Sequence, residues 1–465
     1  MKITLVRMPA FGVTCAPLNL ACLAAVLRAR GHDVTLLDLD AATYHEADAD
    51  LRSTFWSRDT ASNLAAWKDP QKVRRLASGP TTREWERRVL SGSPDVVGFS
   101  VYATNVVPTA HLARRIRRRS RAPIVFGGPH CRRESGVALD LVQRGFADAA
   151  VVGEGEETLA ELVADLAAGG LRRRPGAIVR TARALEDGGP RASLADLDAL
   201  PFPDFTGLRL EHYDALSAAT SRGCINRCGF CLDCSFWGAH RQRRAERVAA
   251  ELEHQVRTHG ILRFELLDLL VNGRLPELER LCRLLVALGE RVGRPVEWRG
   301  FLSPREMSAD LLGLMRRAGC THVSIGVESG SERVLRRFHR RTPTRTIEEL
   351  VARCHAAGIG VGIDWMVGFP GETEEDFAAT VALATRLRPY VEGGGHRPAS
   401  LCAAPPGSDL YANPGRYGVV RLDATDLAGW DDGGAPYATR VARRRRLNEV
   451  LAQARASGAP DGGGS

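Results

Sequence analysis

The chain has 465 residues, 44% of them hydrophobic and 26% charged, which is enough for two packed cores and carries too little polar bias for a disordered chain. Its apolar runs, such as Ile3–Val6 and Ala149–Val152, fall far short of the roughly 20 residues a membrane-spanning helix needs, and the start MKITLVRMPAFG reads as a strand entering a loop, so a cytoplasmic protein without a membrane partner is expected. The net charge of +9 gathers in arginine runs at Arg114–Arg121, Arg172–Arg174 and Arg443–Arg446 without interleaved aromatics, which reads as solvated faces and not as a nucleic-acid footprint; the 11 cysteines, without a secretion signal, point to metal or redox use.

Up to about residue 165, short β-branched runs alternate with helical patterns: Ile3–Val6, a helix over Leu18–Arg30, Val34–Leu37, Val96–Ser100, a helix over Pro108–Arg119, and Ile124–Phe126. The alternation predicts parallel β-α units and an α/β, doubly wound (flavodoxin-like) first domain over 1–165. Such sheets bind ligands beyond the carboxyl ends of their strands, where this chain has Gly127-Gly128-Pro129-His130 and Gly153-Glu154-Gly155-Glu156. Over 166–206 the density of Pro and Gly, with one strand-like piece at Ala177–Val179, predicts a linker.

From 207 to 415 the alternation returns, with strands expected at Ala215–Thr220, Arg263–Leu267, Val296–Arg299, His322–Val327 and Gly360–Val367. These repeats predict a closed or partly closed barrel whose chemistry sits at the strands' carboxyl ends. Residues 416–465 read as a short C-terminal segment ending in a flexible tail over Gly458–Ser465.

The run Ser221-Arg222-Gly223-Cys224-Ile225-Asn226-Arg227-Cys228-Gly229-Phe230-Cys231 follows an expected strand, and a loop there can bend three thiolates around one site. Thiolates hold iron-sulfur clusters. Three ligands on a four-iron cube leave one iron free to chelate an amino and a carboxylate group. Cys234 extends the run to CxxxCxxCxxC, so a four-cysteine zinc site or a fully ligated electron-transfer cluster stands beside that reading. Cys282, Cys320, Cys354 and Cys402 read as small core residues.

At these residues the chain resembles the radical S-adenosylmethionine superfamily, whose CxxxCxxC signature is matched by Cys224, Cys228 and Cys231 with Phe230 before the last cysteine. Phe264–Asn272, the strand His322–Val327 running into Glu328-Ser329-Gly330-Ser331, and Asp364–Thr373 agree in order and spacing. The resemblance implies a partial (β/α)6 barrel holding a 4Fe-4S cluster, with S-adenosylmethionine across its mouth. Glu328 can accept from ribose hydroxyls or the cofactor's ammonium group, and Arg299 can pair with its carboxylate. Ser329 and Gly330 follow Glu328, and Gly368, Phe369 and Pro370 would lie against adenine. Beside these stand structural readings: a cap at Glu328-Ser329 for a helix over Glu332–Phe338, a surface ion pair at Arg299, and a plain strand-ending turn at Gly368–Gly371.

The first 165 residues resemble the cobalamin-binding domain that precedes the barrel in one branch of that superfamily, through Pro17-Leu18, Gly31–Val34, Asp95–Ser100, Gly127–His130 and Gly153–Thr158. Ser100 and Thr104 could hold the nucleotide tail, and Gly127, Gly128, Gly153, Glu154 and Gly155 could let the corrin ring lie flat. The DxHxxG signature that supplies a histidine to cobalt is absent, so cobalamin is expected without a protein histidine ligand.

The resemblance implies that one electron entering the cluster cleaves S-adenosylmethionine to a radical that abstracts hydrogen from an unactivated carbon, and that cobalamin carries a methyl group to that carbon. The expected activity is a radical C-methyltransferase acting on a small molecule or peptide, with an electron donor such as flavodoxin or ferredoxin. A cobalamin-dependent rearrangement, cyclisation or oxidation is the alternative, and a nucleic-acid-binding module with a structural metal is the reading from another class. A methylthiotransferase is set aside, because Cys15, Cys22 and Cys131 lack its first-domain cysteine pattern and about 50 residues follow the barrel. Trp237, Trp298, Trp365, Asp364 and the segment Leu401–Tyr411 are candidate substrate contacts, with core packing as the other reading of most of them.

Overall fold

The computed structural model describes residues 1–9, 12–57, 65–66, 69–77, 79–391, 398–422 and 428–456; the expected tail over 458–465 lies outside them. The fold divides into two compact units, Met1–Ser217 and Ala218–Ser465.

In the first unit, strands β1 (Lys2–Arg7), β2 (Asp33–Asp38), β3 (Val96–Ser100), β4 (Ile124–Gly127), β5 (Ala149–Val151), β6 (Ala177–Arg180) and β7 (Leu185–Asp187) form one sheet in the order β2-β1-β3-β4-β5-β6-β7. The first five run parallel, so each crossover needs a helix, and both faces of the sheet are covered. Leu112 and Ile116 of helix Val106–Arg117 and Leu141 of helix Val137–Gln143 pack on one face with Phe99 and Phe126. Leu20 and Leu27 of helix Leu18–Ala29 and Leu162 of helix Glu156–Ala167 pack on the other with Leu5 and Val125. The segment expected as a linker instead adds the hairpin β6–β7 to this sheet, because Ala177, Ile178 and Val179 are apolar enough to bury against β5 in antiparallel register.

The second sheet has the order β15-β14-β13-β12-β11-β8, from β8 (Leu216–Ala218), β11 (Arg263–Leu266), β12 (Glu297–Leu302), β13 (Cys320–Glu328), β14 (Gly360–Val367) and β15 (Ser400–Leu401). Short strands β9 (Ser221–Arg222) and β10 (Arg241–Gln242) form a separate antiparallel pair. Six strands in an open sheet, parallel from β11 to β15, make a partial barrel. Along β12, Trp298, Gly300 and Leu302 are buried while Glu297, Arg299 and Phe301 are only half-buried, so one face meets the helices and the other is the inner, more polar face.

That strand runs on to Leu302, three residues past its expected end, because Phe301 and Leu302 continue the alternation and Gly300 lets β11 approach closely. Trp298 and Trp365 are 1% and 2% exposed, and Trp298 Nε1 donates to Ala318 O, so both are core residues. Cys282, Cys320, Cys354 and Cys402 are fully buried.

Candidate active site

The thiol loop is held at the carboxyl edge of the second sheet by side chains from neighbouring strands. Asp268, 3% exposed just past β11, accepts from Thr220 N (2.9 Å), Thr220 Oγ1 (2.7 Å) and the Ser221 hydroxyl, which pins the chain before Gly223. Gly223 turns there with φ of +82°, and a Cβ would strike the Ala239 carbonyl. Farther along, Asn226 Nδ2 donates to Ser303 Oγ (2.9 Å), while the Ser303 backbone is gripped from both sides by the Asn272 amide (2.8 and 2.9 Å). Cys224 and Cys231 are half-buried and Cys228 is buried. The Cys234 thiol donates to Asn226 O at 3.3 Å and lies beside Cys231.

Glu328 ends β13 with φ of +69°, a left-handed conformation that only strong surroundings impose on a non-glycine residue. Burial pushes its carboxyl up to about 7, Arg340 pulls against that, and Asp364 adds to it. Arg340 Nη1 sits 4.0 Å from Glu328 Oε1, donates to Gly326 O and lies against the Cys228 thiol. A cluster held by three thiolates would carry negative charge, and this buried guanidinium would offset part of it. Nothing in the sequence singles out Arg340, which is one of 64 basic residues and reaches the site only because the chain doubles back after helix Glu332–Arg337.

Phe230 meets Phe369 with ring centroids 5.7 Å apart, and Phe338 lies 4.8 Å from Phe369, so the cysteine loop and the Gly368–Gly371 turn share one aromatic wall. Pro370 is buried in that turn. Gly368 takes φ of +75°, where Arg440 lies against its α-carbon, and its N–H donates to Glu372 Oε2 at 2.8 Å.

Three residues expected to meet the cofactor have partners within the protein. Ser329 is fully buried and pairs with Thr380 Oγ1 at 3.1 Å, and Gly330 is required by the backbone of helix Glu374–Leu387, which a Cβ would strike. The cap of helix Glu332–Arg337 is Ser331 and not Glu328-Ser329. Arg299 lies in mid-strand, not at its end, and pairs with Glu265 on the inner face.

In the first unit, Ser100 ends β3 opposite Gly127 of β4, accepts from Asn19 Nδ2 at 2.7 Å, and stands beside Arg7 of β1. Gly128 has φ of +102°, and a Cβ would lie 2.9 Å from the Val101 backbone. Thr104 Oγ1 is buried without a hydrogen-bond partner among the described residues, an orphan polar atom of the kind a ligand satisfies. Gly153 opens onto free space, Gly155 touches Leu23, and Glu154 accepts from Leu194 N at 2.8 Å. The loops past β3, β4 and β5 thus offer a small-residue edge with an unmet hydroxyl, which fits a large flat ligand with a polar tail. Sequence reasoning missed the buried charges beside it. Arg7 pairs with Asp38 at 2.5 Å and Asp40 at 3.9 Å, and Tyr213 donates to Asp38.

Residues 219–384 match the Radical SAM superfamily, and residues 72–163 match the B12 binding domain. The chain joins a B12 binding domain to a radical SAM domain. Among its relatives, an uncharacterised methyltransferase of Pyrococcus horikoshii is 26% identical over 83% of this chain and 78% of its own. The cytidylyl-2-hydroxyethylphosphonate methyltransferase of Streptomyces wedmorensis is 26% identical over 87% of this chain and 78% of its own. The radical S-adenosylmethionine methyltransferase TsrM from Kitasatospora setae shares the fold. With cobalamin and a 4Fe-4S cluster bound it aligns at a TM-score of 0.64 and 22% identity over 88% of this chain and 73% of its own. With tryptophan substrate and a cofactor analogue it aligns at 0.67 and 20%, over 97% and 89%. No helix among the described residues is long and apolar enough to cross a membrane.

Proposed function

We propose that the chain is a cobalamin-dependent radical S-adenosylmethionine C-methyltransferase acting on an unactivated carbon of a small molecule or peptide. One observation carries the reading: a single chain joins a B12 binding domain to a radical SAM domain whose thiol loop lies against a buried Glu328–Arg340 pair. That both relatives named above are methyltransferases, each similar over most of this chain, supports methyl transfer over rearrangement or oxidation.

When bound, the cluster, S-adenosylmethionine and cobalamin supply the bond cleavage and the methyl carrier. The protein's work is to hold and orient them. Cys224, Cys228 and Cys231 would hold the cluster. Arg340 offsets charge at Cys228 and stands in reach of a carboxylate placed beside it. Glu328 accepts from ribose or ammonium hydrogens, and Phe230 and Phe369, with the Gly368–Pro370 backbone, form a flat wall for adenine. Ser100 and Thr104 would take the nucleotide tail of cobalamin, with Gly127, Gly128, Gly153 and Gly155 under the ring and Glu154 fixing the loop that carries them. Asp364, on the inner strand face, would meet the substrate, and Arg299, paired with Glu265 on that face, would lend positive charge near the carboxylate of S-adenosylmethionine. TsrM with tryptophan bound supports an organic small molecule as the substrate class. The reducing electron would come from a flavodoxin or ferredoxin.

The test is anaerobic reconstitution with iron, sulfide and cobalamin, followed by reduction in the presence of S-adenosylmethionine carrying a deuterated methyl group. Release of both 5'-deoxyadenosine and S-adenosylhomocysteine together with transfer of the label to a candidate substrate supports the reading. A reducible cluster without cobalamin retention removes methyl transfer and leaves radical chemistry.

A further inference from the structure

The segment that follows the last barrel strand converges on the thiol loop at one point. Gly229, between Cys228 and Cys231, has both backbone polar groups engaged: its N–H donates to Phe338 O at 3.3 Å, and its carbonyl accepts from Leu410 N at 2.8 Å. Tyr417 covers its α-carbon, and a Cβ there would overlap the tyrosine hydroxyl and lie 2.7 Å from Cζ. Tyr417 is 1% exposed and stacks on Phe338 at 5.0 Å and 20°. Its hydroxyl donates to Asp409 and sits 3.2 Å from His339 Nε2. Asp409 is held in turn by Arg416 at 3.0 Å and Asn413 at 2.6 Å. His339 takes φ of +65°, a second constrained residue beside the loop.

We propose that Tyr417 is a positioning residue for the cluster and for S-adenosylmethionine, acting through Gly229. The inference rests on the reading of Cys224, Cys228 and Cys231 as cluster ligands. A three-residue step between two ligands has little rigidity of its own, and a cofactor site works only when its first contacts are held to a fraction of an ångström. The Tyr417 hydroxyl closes one side of the Cys228–Cys231 step, and its ring fixes Phe338, which packs 6.0 Å from Phe230. The same side chain thus restrains two thiols and the aromatic wall, and it lowers the ordering cost of binding S-adenosylmethionine. It also explains why glycine stands at 229: any side chain would displace the tyrosine.

The test uses full-length chains reconstituted without oxygen: the natural sequence, C228A, Y417F, Y417L, G229A and the double variant G229A/Y417L. Iron and sulfide per chain, the electron paramagnetic resonance spectrum of the reduced cluster with and without S-adenosylmethionine, and the S-adenosylmethionine dissociation constant are measured. Y417F is expected to keep its four irons, to bind S-adenosylmethionine roughly 3- to 10-fold more weakly, and to change the spectral shift that the cofactor induces. G229A is expected to lose most of its cluster, and Y417L in the same chain to restore it, because the smaller side chain vacates the volume the new methyl group needs. The proposal is overturned if Y417F and Y417L both keep the natural affinity and spectra, or if the double variant is no better than G229A. If C228A holds as much iron as the natural chain, the cysteine reading itself fails and the proposal falls with it.

Discussion

At the scale of single residues, the four cysteines of the loop divide by what holds them. Replacing Cys224, Cys228 or Cys231 by Ala is expected to abolish four-iron content, whereas Cys234→Ala, which gives up thiol bonds to Asn226 O and to Cys231 but no cluster ligand, retains it. Iron and sulfide counts on the four variants check this directly. Glu372 gives the clearest pH dependence. Burial pushes its carboxyl up to about 7 although Gly368 N donates to it and Arg443 lies at 3.3 Å. A folded value above the ordinary 4.5 means that the native state holds its proton more tightly than the unfolded chain. This stability is therefore present below about pH 4.5 and is lost as pH rises through about 7. Glu372→Gln does not titrate, and Arg443 keeps Glu374 at 3.1 Å. From pH 5 to pH 8 the urea unfolding free energy of the second unit in the apo chain is expected to move in the variant's favour, by on the order of 2 kcal/mol.

At the scale of elements, the sheet edges are set by caps and turns more than by strand propensity. Helix Glu374–Leu387 begins with a capping box, in which Thr373 accepts from Asp376 N and Asp376 accepts from Thr373 N at 2.8 Å. Asp376 also holds Ser331 and Arg333, tying the helix after β13 to the helix after β14. Thr373→Ala is expected to cost about 1 kcal/mol in urea unfolding, as an ordinary lost cap. Asp376→Ala should cost more, because it also leaves the buried Ser331 hydroxyl without its acceptor. Asp268 plays a comparable part before the thiol loop, and Asp268→Ala is expected to lower cluster retention without removing any ligand. Iron content after gel filtration reads that loss. The cysteine spacing was legible in the sequence, but Asp268, Asn272 and Ser303 were not, since an isolated aspartate, asparagine or serine after a strand has many ordinary uses.

At the scale of the whole molecule, two units with separate cores should not unfold as one two-state system. Differential scanning calorimetry is expected to show two transitions. Added cobalamin should raise only the one belonging to the first unit, and S-adenosylmethionine with a reconstituted cluster only the other, because each ligand stabilises the native form that binds it. A single transition moved equally by both ligands would contradict this assignment.

The sequence alone determined the α/β class, the order of the two sheets' strands along the chain, and the thiol motif, because hydrophobic periodicity and ligand spacing are local properties. It misjudged the end of β12 and therefore the place of Arg299, and it took β6 and β7 for a linker, since neither the stop of a strand nor the partner of a short apolar run is written locally. Only the tertiary structure turned Ser329 and Gly330 toward Thr380 and brought Arg340 to Cys228 and Tyr417 to Gly229. Those contacts join residues tens to hundreds of positions apart. They are decided by which surfaces the packed helices leave for one another, which no window of sequence contains.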